Sequence, residues 1–131
     1  MGKRSVAALG LLLLSGCAAA CPDGMAPGTA TTLYFGAARR GAPDVGEADW
    51  RAFLADIAVP RLPGMTVTDG FGHYREKDGT AASERTRVLT TAHHGRPEET
   101  RAIAEVVAAY KRRFDQWGVG RLDQPACMDF D

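Results

Sequence analysis

Hydrophobic positions along the chain fall into two helical stripes set among short β-branched runs. Thr31-Thr32-Leu33-Tyr34-Phe35 is compact, β-branched and aromatic, and Gly36 ends it, which predicts a first strand. Trp50, Phe53, Leu54 and Ile57 follow at i, i+3, i+4 and i+7, the spacing of one helical face. Glu47 and Asp49 suit the positive end of that helix, and Pro60 and Pro63 stop it. Met65 to Thr68 begin a second strand, which Gly70 and Gly72 interrupt before His73-Tyr74, as a bulge or a close backbone approach would. Lys77-Asp78-Gly79-Thr80 reads as a turn, and a third strand runs through Arg87 to Thr91, ending near His93-His94-Gly95. Ile103, Val106, Val107, Tyr110, Phe114 and Trp117 then keep a helical period. Pro97, Glu98 and Glu99 fit its first turn, Lys111 to Arg113 its last third, and Gly118 its stop. Val119 to Leu122 and Ala126 to Phe130 flank Pro125 as a final strand, placed at a sheet edge because proline lacks the ladder donor.

This order, β-α-β-β-α-β, predicts an α+β, ferredoxin-like fold: a four-stranded antiparallel sheet with two helices on one face. Right-handed crossovers put strands one and three side by side, with two and four outside. The aromatic positions Trp50, Phe53, Tyr110, Phe114 and Trp117 fall at helical spacing and are assigned to the core, not to a ligand box. The sheet face without helices is left as a candidate surface for homodimerisation or ligand binding.

Upstream of these elements the pattern changes. Lys3 and Arg4 precede an apolar run from Val6 to Leu14, closed by Leu14-Ser15-Gly16-Cys17, the layout of a secretory signal. The run is too short to cross a bilayer core of ~30 Å as a helix. Its ending resembles the lipobox of bacterial lipoproteins, in which the cysteine is acylated and becomes the mature N-terminus. The alternative is an ordinary signal peptide cut elsewhere, for instance after Ala18-Ala19-Ala20. The leading reading divides the chain into a signal peptide (1–16), a lipidated tether (17–30) and one domain (31–131). It anchors the protein to a membrane through Cys17, in the outer membrane facing the periplasm of a two-membrane host, or otherwise on the outer face of the cytoplasmic membrane.

Charge and cysteines narrow the classes. The 131 residues hold 16 basic and 16 acidic side chains, and loss of Lys3 and Arg4 leaves a slight acidic excess. No basic face suggests nucleic acid. With Cys17 given to lipid, Cys21 and Cys127 remain as an even pair in an oxidising compartment, read as a disulfide with two free thiols as the alternative. The strand order supports the bond, since the end of strand four comes back to the start of strand one. No cysteine or histidine cluster has metal-ligand spacing. No phosphate loop, CxxC or dinucleotide fingerprint implies a cofactor, and no serine sits in a nucleophile elbow.

Four segments carry a resemblance. Leu33-Tyr34-Phe35-Gly36, Trp50-Arg51-Ala52-Phe53-Leu54, Pro60-Arg61-Leu62-Pro63-Gly64-Met65-Thr66-Val67 and Tyr110-Lys111-Arg112-Arg113-Phe114-Asp115-Gln116 resemble the ordered landmarks of a family of small bacterial lipoproteins, domain of unknown function 3574. The resemblance covers roughly residues 31–130 and implies a secreted, usually lipidated single domain with no established activity. It brings no catalytic residues. The chain departs from the family pattern at His73-Tyr74, where Gln-Trp is common, and at Gly118.

Few side chains suggest chemistry. His73, Tyr74 and Glu84 flank the 77–80 turn, so a closed hairpin could bring a histidine and a carboxylate together as an acid–base pair, or as a plain cross-strand polar pair. Arg85 alternates with Arg87 and could clamp an anion there, or be a solvated strand charge. His93 and His94 are adjacent, point to opposite faces, and are read as surface histidines before a helix. Two functions follow: a non-enzymatic, membrane-tethered binding or assembly module, which leads, and a small enzyme or ligand sensor using His73 and Glu84 on the open face.

Overall fold

The computed structural model describes residues 20–130; Cys17 and the expected signal peptide lie outside the described residues. Four strands, β1 (Ala26–Gly36), β2 (Thr66–Arg75), β3 (Ala81–His93) and β4 (Gly120–Met128), form one antiparallel sheet in the order β2-β3-β1-β4. Two helices, α1 (Glu47–Phe53) and α2 (Pro97–Phe114), follow β1 and β3. The expected fold and strand order are present.

Alternate β1 residues build the core. Leu33 and Phe35 are fully buried with Leu89 of β3, under Trp50 and Phe53 of α1 and Ile103, Val106, Tyr110 and Phe114 of α2. Tyr110 is the hub. Its ring centroid lies 4.7 Å from that of Phe35, 5.1 Å from Phe53 and 4.9 Å from Phe114, within the range of favourable aromatic pairs. Its hydroxyl donates to the Gly36 carbonyl at 2.9 Å and so fixes the end of β1.

Several boundaries differ from expectation. After Phe53 the α1 helix widens into a π-helical turn, Leu54–Ala58, closed by the Val59 N–H donating to the Leu54 carbonyl at 2.9 Å. A π turn shifts the facing position by about one residue, so Ala58 is fully buried and Ile57 only half-buried. The α2 helix stops at Phe114 because Asp115 takes a left-handed φ of 52°. Trp117 therefore leaves the helical period and is 66% exposed, not a core residue.

The glycines of β2 make no bulge. Pairing runs without a break from Thr66↔Thr90 to Arg75↔Ala81, and a Cβ on Gly72 would lie 3.0 Å from Thr86 Oγ1. Close approach, not a bulge, is the reason for glycine there. β1 begins at Ala26, inside the segment read as tether, since Ala26 to Ala30 pair with Met128 to Gln124. β4 is a continuous edge strand with Pro125 opposite Thr29. Cys21 and Cys127 are joined, with Cα atoms 5.5 Å apart across a sequence separation of 106.

Candidate functional site

The hairpin loop decides which of the suggested residues can meet. Residues 76–80 join β2 to β3, with the Glu76 N–H donating to the Thr80 carbonyl and Gly79 at a left-handed φ of 89°. Asp78 accepts the Thr80 N–H at 2.8 Å, and this bond holds its carboxyl below the usual range. The resulting register pairs His73 with Ser83 and Gly72 with Glu84. Successive strand side chains alternate faces, so His73 and Glu84 point to opposite sides of the sheet. The acid–base pair of His73 with Glu84 does not form. Arg85 shares the His73 side, across from Phe71, and His73 lies against the Phe71 ring at 5.3 Å. The four suggested residues split into two pairs, and Arg85 cannot clamp an anion beside Glu84.

Tyr74 and Glu84 share a face. The Glu84 charge raises the Tyr74 pKa, assisted by partial desolvation, by Glu76 and by a hydrogen bond to Glu84. Glu84 is itself held: its Oε2 accepts the Ala38 N–H at 2.8 Å. Gly36 makes this possible, because a Cβ there would lie 2.6 Å from both carboxylate oxygens. The chain leaving β1 is thereby bent over Glu84, with the Gln116 side-chain amide donating to the Ala38 carbonyl at 2.6 Å.

These contacts enclose a cleft of about 320 Å³ at the end of the sheet where β1 stops. Residues 38–40 form one side, Tyr74, Glu76 and Glu84 a second, and residues 115–118 a third. Its volume is at the lower end of small-molecule sites. Arg40 stacks on the exposed Trp117 ring, its guanidinium carbon 3.5 Å from the centroid. The Arg39 guanidinium lies 6.0 Å from the Phe114 ring, and its Nε is buried without a hydrogen-bond partner. A held carboxylate and the Arg39 and Arg40 side chains therefore line one small cleft. That pairing can bind a molecule carrying both charges. The sequence had flagged Tyr74 and Glu84 but not Arg39, Arg40 or Trp117, which stand far apart along the chain.

A second polar cluster lies at the other end of the sheet. His93 is 5% exposed at the end of β3, not the surface residue expected from its loop-like context. The Gly95 N–H donates to its Nδ1 at 3.1 Å, leaving Nε2 to carry the proton and donate to Thr31 Oγ1 at 2.9 Å. The Thr31 hydroxyl donates in turn to Asp123 at 2.6 Å. Hydrogen bonds from Arg121 first, and from Thr31, hold the Asp123 carboxyl below its ordinary range. Because Nδ1 is occupied and Nε2 donates, His93 cannot take the Thr31 proton, so this chain orders the three strands and activates no nucleophile. Among the described residues no group of three histidine, cysteine or carboxylate side chains is arranged to hold a metal.

The family described as "Protein of unknown function (DUF3574)" matches residues 30–130. The chain belongs to that family. No curated protein matches it. Two solved structures resemble this DUF3574 domain, both of a phage SAM lyase. One is the complex with S-methyl-5'-thioadenosine, at TM-score 0.59 and 15% identity over 79% of this chain and 90% of that one. The other is the apo state, at TM-score 0.59 and 16% identity over 79% and 86%. At such identities the likeness is one of fold.

Proposed function

We propose that this DUF3574 protein is a lipid-anchored envelope protein whose domain binds a small zwitterionic molecule in the Tyr74–Glu84 cleft. The observation that carries the ligand reading is the convergence on one cleft of Glu84, fixed by the Ala38 amide, with Arg39 and Arg40. Glu84 takes the cationic group, and the raised Tyr74 hydroxyl stays a donor. The free α-amino acids have this charge pattern. The anchor rests on Leu14-Ser15-Gly16-Cys17 after a short apolar run.

Titration calorimetry of the protein against free amino acids tests the cleft. Binding that weakens at least tenfold in Glu84→Gln and in Arg39→Ala, and is unchanged in Arg85→Ala on the other face, supports it. No binding by any of them, or binding indifferent to Glu84→Gln, removes it. A catalytic reading draws on the lyase-like fold, and is checked by incubating the protein with SAM and assaying for S-methyl-5'-thioadenosine. Release lost in Glu84→Gln would move the assignment to an enzyme. For the anchor, Cys17→Ser should leave an unprocessed or a soluble species; continued membrane fractionation at mature size would reject acylation there.

A further inference from the structure

Charge is distributed across the sheet against the usual rule. A sheet face in water ordinarily carries the charged residues and the covered face the apolar ones. Here the strand charges Asp69, Arg85, Arg87, Arg121 and Asp123 alternate onto the helix side. There Arg87 pairs with Asp69 and, at 2.6 Å, with Glu47 of α1, while Arg121 pairs with Asp123 at 3.0 Å. The open side carries threonines, glycines and alanines around Val88, Tyr34 and Leu122. Within the paired strands described, Glu84 is its single charge, and Glu84 sits at the margin, tied to Ala38. Tyr34 and Leu122 are 42% and 46% exposed, on the same side of adjacent strands.

We infer that this open face packs against the same face of a second copy of the chain. A partner chosen by charge would find only Glu84, at the margin, to complement, whereas two copies of a face uncharged at its centre meet there without like-charge opposition. Small and β-branched side chains suit sheets stacked ~10 Å apart. The area is adequate: four strands at ~4.8 Å spacing and about nine residues at ~3.3 Å give roughly 600 Å² per copy before side-chain relief. Two copies then bury roughly 1,200 Å², the lower edge of stable specific interfaces. The inference rests on the face alone and stands or falls separately from ligand binding in the cleft.

Sedimentation equilibrium of the full chain carrying Cys17→Ser, which removes any acylation, tests it. The expected mass is twice that of one chain. Thr90→Arg puts a charge at an exposed, central position of the face and should give single chains with an unchanged circular dichroism spectrum. Thr100→Arg, exposed on α2, should leave the dimer intact. If Thr90→Arg fails to fold, Leu122→Glu on the edge strand makes the same test away from the central pair. Single chains for the parent protein across micromolar concentrations overturn the inference. So does a dimer that survives a folded face variant.

Discussion

The Tyr74 hydroxyl lies against the Glu84 carboxylate, and it is the carboxylate's charge, more than burial, that keeps this phenol protonated above its ordinary range. Removing the charge should reverse the shift. Glu84→Gln is expected to lower the Tyr74 pKa toward that of a free phenol. The signal is the difference between absorbance titrations of the parent and of Tyr74→Phe, repeated in the Glu84→Gln background. An unchanged difference titration would mean that the two side chains do not interact in solution.

Gly36 is required by its neighbour and not by its backbone. A methyl group at this position would occupy the space of the Glu84 carboxylate, 2.6 Å away, and break the Ala38 N–H bond to it. Gly36→Ala should cost about 0.5–1.5 kcal/mol in urea unfolding, the net worth of the Ala38 hydrogen bond given up as the flexible carboxylate swings aside. Gly36→Ala combined with Glu84→Ala should cost less than the sum of the two, since the clash disappears with the carboxylate. Strict additivity would show that the glycine is needed for another reason.

What the sequence made legible follows the strength of its periodicities. Ile103, Val106, Tyr110 and Phe114 mark α2, and Leu33 and Phe35 mark the buried side of β1, because burial forces those spacings. The element order then fixed the sheet, and with it the closeness of Cys21 and Cys127. The site was only half legible. Tyr74 and Glu84 could be picked out beside the turn, but their true partners depend on the register. A register one position over, pairing His73 with Glu84, would have put both on one side; the five-residue loop 76–80 pairs it with Ser83 instead. Trp117 defeated the helical period because Asp115 adopts a conformation that residue type only hints at. His93 gave no signal at all, since its burial depends on Thr31 and Asp123, both remote in sequence.

Thr31 joins the remote pair, so its hydroxyl should matter more than its size. Thr31→Val keeps the shape but leaves the buried His93 Nε2–H without its acceptor and takes one of two donors from Asp123 Oδ1, which keeps Arg121, at a cost of about 1–3 kcal/mol. Thr31→Ser should recover most of it. Thermal unfolding of both variants reads the difference, and equal losses would point to packing of the methyl group instead.

Asp123 also predicts a direction with pH. Its carboxyl is held below the ordinary range by Arg121 and then Thr31, so the folded state favours the ionised form. The resulting stability is full above the ordinary carboxylate range and is lost as pH falls through the depressed value. Asp123→Asn should destabilise the protein at neutral pH and flatten the acid limb of its stability profile. An acid limb of the same slope in the variant would assign that limb to other carboxylates, Glu47 beside Arg51 among them.

The Cys21–Cys127 bond closes a loop of nearly the whole domain, a separation of 106 residues. Chain-entropy arguments give such a loop at most ~4–5 kcal/mol. The stabilisation should fall short of that, because Ala26 to Ala30 already pair with β4 and hold the two ends together without the sulfurs. Denaturant unfolding with and without reductant should therefore show a lower midpoint on reduction, with the folded spectrum retained in the absence of denaturant. Deleting residues through Gly28 removes the β1–β4 pairs from Ala26 to Gly28 along with Cys21, and should cost more than Cys21→Ser alone. If deletion and Cys21→Ser are equal, those pairs contribute nothing and the disulfide alone carries the closure.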